Sequence, residues 1–188
     1  MTVLTLANQL TLLRMLLIPA FVILIAYHQL GWALAIFLAA GITDALDGLI
    51  ARWSGKKTTL GAWLDPMADK LLLVTTFIVL TLPGLGLVNR MPVWLTILII
   101  SRDIVIVLTV AIVNLAIGRR TFKPSIYGKL ATAVYIITAI VFMVFNFLRQ
   151  RSLLVTACIY ASLVLTLISG IHYITHAARI VNEAHGEG

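Results

Sequence analysis

Acidic side chains are scarce in this chain: 7 of 188 residues are Asp or Glu, against 14 Lys and Arg. Cysteine is scarcer still. Cys158 is the single one, which excludes an intrachain disulfide, and its place in an apolar run predicts a small core side chain. Cysteine clusters and histidine–glutamate patterns of zinc spacing are missing, so nothing points to structural zinc. The net charge of +7 invites a nucleic-acid reading. No soluble basic segment with interleaved aromatics supports it, and basic loops beside an anionic leaflet explain the charge more simply. What is present in excess is apolar surface. Hydrophobic residues make up 61% of the chain and the mean hydropathy is +1.07, which excludes an ordinary soluble domain.

The expected fold is therefore an all-α polytopic membrane protein forming a single domain over residues 1–188. Six transmembrane helices are predicted at 7–27, 32–50, 62–82, 92–117, 127–148 and 153–175, each long enough for a hydrocarbon core of about 30 Å. The first run is long, contains Arg14 and has no clean small-residue cleavage site, so it is expected to remain as a span. On alternate connections lie Arg52, Lys56, Lys57, Arg119, Arg120, Lys123, Lys129 and Arg179, against Arg90, Arg149 and Arg151 on the others. Positive charge favours the cytoplasmic side, which predicts both termini and the acidic cluster there, in a bacterial inner membrane.

That cluster is the most informative feature. Asp44 and Asp47 are three apart, Asp65 and Asp69 four apart, around a polar break between two apolar runs. On helices each spacing sets both carboxylates on one face. Charge at a membrane span is costly and usually functional. Hard oxygen donors of this kind suit Mg²⁺ or Mn²⁺, and two such ions could neutralise a phosphate substrate. Pro66 fits this arrangement if it lies in the first helical turn, where its missing N–H is not needed. Gly48 and Gly61 flank the cluster and leave room either for close helix packing or for a bulky ligand such as a nucleotide. Arg52 can pair with a substrate phosphate or serve as a counter-ion, while Lys56 and Lys57 read as loop anchors.

A second polar set runs from Ser101-Arg102-Asp103 to Lys123-Pro124-Ser125-Ile126-Tyr127-Gly128-Lys129. Arg102 and Asp103 can pair with each other, or Arg102, Lys129 and more weakly Lys123 can hold a second anionic substrate. Arg119 and Arg120 read as surface anchors. Asn8, Thr11 and Arg14 recur every third residue and either line the polar cavity or join an interhelical network. His172 and His176 share a helical face without an acidic partner, which predicts interfacial packing rather than a metal site.

The run from Asp44 to Asp69 resembles the CDP-alcohol phosphotransferase (CDP-alcohol phosphatidyltransferase) family. Asp44, Asp47-Gly48, Ala51-Arg52, Gly61, Asp65 and Asp69 fill every fixed position of the family pattern over 26 residues. The resemblance implies a commonly homodimeric membrane enzyme that transfers a phosphatidyl group from CDP-diacylglycerol to an alcohol, with two divalent ions. By this likeness Asp44, Asp47, Asp65 and Asp69 hold the ions. Asp44, Asp47, Gly48, Ala51, Arg52, Gly61 and Asp65 accommodate CDP, and Asp69 is the general base.

Arg14, Arg102, Lys129 and Lys123 suit a phosphorylated acceptor, with Asn8, Thr11 and Asp103 in support, and glycerol 3-phosphate is the leading choice. The Asn8–Arg14 run resembles enzymes that use it. Ser101-Arg102-Asp103 departs from them, having aspartate where glutamate is usual, and with Lys123-Pro124 resembles CMP-forming enzymes that accept phosphatidylglycerol. Another reading is a cation-coupled transporter whose relay is formed by the same aspartates.

Overall fold

The computed structural model describes the backbone of residues 6–54, 59–117 and 125–186. Outside the description are the side chains of residues 6–10, 44–67, 69, 113, 114, 116 and 117, and of most residues from 176 onward. The described chain is all-helical, with α1 (Leu6–Ala26), α2 (Leu30–Ser54), α3 (Thr59–Thr81), α4 (Val93–Ile117), α5 (Ile126–Phe147) and α6 (Leu153–Gly186). Helix starts follow local chemistry. Ser125 caps α5, its Oγ accepting from the Gly128 N–H at 3.0 Å, and Ser152 caps α6, accepting from the Leu154 N–H at 3.1 Å.

The expectation of six membrane spans is corrected. Among the described residues, three helices are long and apolar enough to cross: Val93–Ile112 in α4, Ile126–Phe147 in α5 and Leu153–Thr175 in α6. Among the described residues the shorter apolar stretches of α1, α2 and α3 are Thr11–Ala26, Leu30–Thr43 and Lys70–Thr81. At 1.5 Å per residue the longest of these described stretches, Thr11–Ala26, reaches about 24 Å, against a core of about 30 Å. The reason lies in the polar residues themselves. Helix α1 carries Arg14, α2 carries Asp44 and Asp47, and α3 carries Asp65, Asp69 and Lys70, so the six-span expectation counts through charged residues.

Pro66 is a second correction. Helix α3 begins at Thr59, so Pro66 stands in its interior rather than in the first turn. A proline there removes one helical hydrogen bond, which membrane helices tolerate when neighbouring groups re-satisfy the freed carbonyl.

The chain divides into two compact units, residues 1–90 with 142–151, and residues 91–141 with 152–188. In the first, α1 packs against both α2 and α3. Its core holds Phe21, Ile25, Phe37, Phe77 and Leu80, with the Phe21 and Phe37 ring centroids 6.1 Å apart. The segment after α3 is tied to the end of α5 by a reciprocal amide clasp. Asn89 donates its backbone N–H to Asn146 Oδ1 at 2.8 Å, and Asn146 Nδ2 donates to the Asn89 carbonyl at 2.9 Å. Asn89 Nδ2 donates in turn to the Gln150 carbonyl at 2.7 Å.

In the second unit α4 packs on α6. Helix α6 turns Ser162, Thr166 and Ser169, all buried, toward its neighbours. Tyr135 and Thr166 share a hydrogen bond of 2.6 Å, and Thr138 and Ser162 one of 2.9 Å. Hydroxyl pairs of this kind substitute for the hydrophobic driving force that lipid removes. Cys158 is half-buried rather than a full core residue.

Candidate functional site

The aspartate motif lies on regular helix at both ends. Asp44 and Asp47 fall in α2, and Asp65 and Asp69 fall in α3. The helical backbone therefore sets each pair on one face of its own helix. Their side chains lie outside the described residues, as do those of Gly48, Ala51, Arg52 and Gly61. The donor set fits a divalent ion: four carboxylates supply hard oxygens, the chemistry Mg²⁺ and Mn²⁺ prefer. Among the described residues no three of His, Cys, Asp and Glu gather elsewhere. His172 instead packs on the Tyr127 ring, with centroids 4.9 Å apart, while the His176 side chain lies outside the described residues.

On α1, Thr11 and Arg14 are both fully buried in the first unit. The Asn8 side chain and Lys123 are outside the described residues.

Arg102 is the best-defined of the expected anion-binding residues. Its Nη1 donates to Asp103 Oδ1 at 2.7 Å, and its Nη2 donates to Ser169 Oγ on α6. Its Nε is buried without a hydrogen-bond partner, and the side chain is only 9% exposed. Space for it comes from two glycines. A Cβ on Gly128 would lie 3.3 Å from Arg102 Nη2, and one on Gly170 would lie 4.0 Å from Arg102 Cγ. The fold thus brings Arg102 to Gly128 in the first turn of α5, and the following residue, Lys129, is exposed. Both sequence readings of Arg102 bear on this arrangement. It pairs with Asp103, and it also keeps one donor unspent.

Next to it is a cavity of about 260 Å³ between α4 and α6, walled by Leu98, Val105, Leu167, Ile171 and Ile174, with Arg102 its one charged lining residue. Neither Ser169 nor this cavity was anticipated. The available signal was the spacing of Ser162, Thr166 and Ser169, four and three apart on one helix.

A family profile for CDP-alcohol phosphatidyltransferase matches residues 4–169. The chain belongs to the CDP-alcohol phosphatidyltransferase family. The family reaction transfers a phosphatidyl group from CDP-diacylglycerol to an acceptor and depends on a divalent cation. The chain is 36% identical over 183 residues to a Mycobacterium tuberculosis protein named "probable phosphatidylglycerophosphate synthase", covering 93% of this chain and 82% of that one. It is 34% identical over 176 residues to human cardiolipin synthase (CMP-forming), covering 84% of this chain and 57% of that one. With the CMP-forming cardiolipin synthase of Streptomyces coelicolor it shares 34% identity over 139 residues, 69% of this chain and 60% of that one. The long apolar helices agree with the membrane setting of such a reaction.

Proposed function

We propose that the chain transfers the phosphatidyl group of CDP-diacylglycerol to glycerol 3-phosphate, giving phosphatidylglycerophosphate and CMP. The observation that carries this reading is the likeness to a phosphatidylglycerophosphate synthase along most of both chains, with every motif carboxylate in place. Asp44, Asp47, Asp65 and Asp69 would hold Mg²⁺ or Mn²⁺, in two sites. Bound there, the cations neutralise the pyrophosphate and stabilise charge in the transition state.

The protein's own part is positioning and proton transfer. Gly48, Ala51, Arg52 and Gly61, with the aspartates, accommodate CDP. Asp69 takes the proton of the acceptor hydroxyl. The acceptor oxygen then bonds to the lipid-proximal phosphorus while the anhydride bond breaks, and CMP leaves with the electron pair. Arg102, through its unspent Nε, Arg14, Lys129 and Lys123 hold the acceptor phosphate. Asn8 and Thr11 support them, and Asp103 orients Arg102.

The motif is proposed to face the cytoplasm of a bacterial inner membrane, and the enzyme to be a homodimer. The charge beside the motif supports the sidedness: Arg52, Lys56 and Lys57 follow Asp47 closely in sequence.

A second reading, transfer to phosphatidylglycerol, is favoured by the apolar cavity beside Arg102, which could take part of an acyl chain. Likeness to cardiolipin synthases and the Asp103 departure point the same way.

The test is CMP release by purified protein given CDP-diacylglycerol, Mg²⁺ or Mn²⁺, and one acceptor at a time, with lipid products weighed by mass spectrometry. Release with glycerol 3-phosphate alone establishes the first reading, and release with phosphatidylglycerol alone replaces it with the second. An Asp69→Asn variant that still folds is expected to lose at least about 100-fold in rate, as removal of a general base does.

A further inference from the structure

Helices α1 and α5 end in the same way. After α1, Gln29 donates its N–H to the Leu24 carbonyl at 2.8 Å and His28 to that of Ile25 at 2.9 Å. After α5, Gln150 donates to Phe145 at 3.0 Å and Arg149 to Asn146 at 3.1 Å. These are Schellman-type closures, whose left-handed position is ordinarily glycine. Here the positions are His28, at φ 58°, and Arg149, at φ 53°. They are the only non-glycine residues of positive φ among those described. A side chain there carries a steric cost that glycine would avoid. An outlier of this kind is a reason to ask what the side chain does.

The two meet at one place. His28, Gln29, Gly31, Trp32, Phe147 and Arg149 line a cavity of about 560 Å³ in the first unit, a volume typical of small-ligand sites. Its walls are held. Gly86, itself at φ 58°, lies so close that a Cβ would come within 3.1 Å of His28 Cε1, and a Cβ on Gly31 would come within 3.0 Å of the Phe147 ring. The Asn89–Asn146 clasp fixes the turn that carries Arg149.

The charge in this cavity is uncompensated within its unit. Among the described residues Arg149 makes no ion pair. The carboxylates of residues 1–90 and 142–151 are Asp44, Asp47, Asp65 and Asp69. Leu30, at the start of α2, lines the cavity, whereas Asp44 lies fourteen residues further along the same helix, a separation of about 21 Å. This cavity is therefore at the opposite end of α2 from the aspartate motif.

Its depth in the membrane follows from the chain on either side. Phe147 ends one apolar span and Leu153 begins the next, so Arg149 sits between them, where helices leave the hydrocarbon. Tyr27 and Trp32 flank the cavity and are 75% and 69% exposed, the placement of an interfacial aromatic belt. A guanidinium and an imidazole with an indole and a phenyl ring, at headgroup level, match a phosphate attached to an acyl glycerol. They match a free anion less well, because it has no use for the apolar wall.

We infer that the α1–α2 turn and the α5–α6 turn form a binding site for the phosphodiester headgroup of an anionic phospholipid, at the end of the first unit remote from the aspartate motif. Arg149 binds the phosphate, His28 and Gln29 donate to its oxygens or to the headgroup, and Trp32 and Phe147 cover the start of the acyl chains.

The test titrates the purified full chain in neutral detergent with short-chain phosphatidylglycerol, short-chain phosphatidylcholine or inorganic phosphate, counting bound molecules by native mass spectrometry. Wild type and the variants Arg149→Gly, Arg149→Gln and His28→Gly are compared. Loss of the guanidinium should weaken one phosphatidylglycerol site by about tenfold or more, the worth of a charge-assisted bond. Phosphatidylcholine binding should stay the same in all four proteins.

Glycine is the residue that this backbone favours, so both glycine variants should melt within a few degrees of wild type or above it. A loss of binding with an intact melt then belongs to the side chain and not to the fold. Phosphatidylglycerol held equally by wild type and Arg149→Gln would overturn the assignment. So would inorganic phosphate competing as tightly as the lipid, which would mark the cavity as a site for a soluble anion.

Discussion

Arg102 is held inside an apolar helix because three groups share the task. Asp103 takes one nitrogen, Ser169 a second, and Gly128 leaves the space. The sequence puts Arg102 and Asp103 side by side, so their pairing was legible. Ser169 lies 67 positions away, and nothing in the local pattern ties it to Arg102. A Cβ at Gly128 would lie 3.2 Å from Ser125 Oγ and 3.3 Å from Arg102 Nη2, so one of them must move. Gly128→Ala is expected to raise the KM for the acceptor by about 3- to 10-fold, equivalent to about 1 kcal/mol of lost binding, with kcat little changed. Steady-state kinetics at saturating CDP-diacylglycerol would check it, and an unchanged KM would remove Arg102 from the acceptor site. Asn146 makes a different case, since it is 1% exposed and serves two backbone groups of Asn89. Asn146→Ala leaves both groups buried and unpaired, and is expected to cost about 2–3 kcal/mol in chemical denaturation.

Helix α6 joins the second unit through hydroxyls more than through bulk. Ser162 and Thr166 meet α5, and Ser169 meets Arg102 of α4. Such bonds are worth less in a membrane than their burial suggests, because the separated helices also find partners. A Thr138→Val, Ser162→Ala double-mutant cycle is expected to give a coupling of about 0.5–1 kcal/mol. Coupling near zero would mean that the 2.9 Å contact between them contributes nothing. The positions of the helices themselves were readable, because apolar runs broken by Pro, Gly and charge mark helix ends. The number of spans was not. Hydropathy counted across Asp44, Asp47, Asp65 and Asp69 reads six spans, whereas three helices among the described residues are long and apolar enough to cross.

At the scale of the whole molecule, charge is sorted to ends. The acidic motif stands at one end of α2, and the cavity with His28 and Arg149 lies at the other. If the motif is cytoplasmic, a Cys158→Ser background carrying Thr58→Cys, in the break between Asp47 and Asp65, should resist a membrane-impermeant thiol reagent in intact cells. The same background carrying Gln150→Cys should react. Labelling in the reverse pattern would invert the proposed orientation. Removing divalent ions with a chelator should abolish CMP release, and adding Mg²⁺ or Mn²⁺ should restore it, since the family reaction depends on a divalent cation.

The sequence by itself determined the family and the all-helical class. The carboxylate spacing belongs to a specific chemistry, and an apolar content of 61% admits few other architectures. Both are properties of neighbours in the chain, whose geometry a helix sets without help. Tertiary structure alone decided which distant groups share a place: Ser169 with Arg102, Asn89 with Asn146, and His28 with Arg149. Each of these depends on packing between elements far apart in sequence. Left-handed turns at His28 and Arg149 are also invisible in composition, because a non-glycine residue accepts that backbone only where surrounding contacts hold it there.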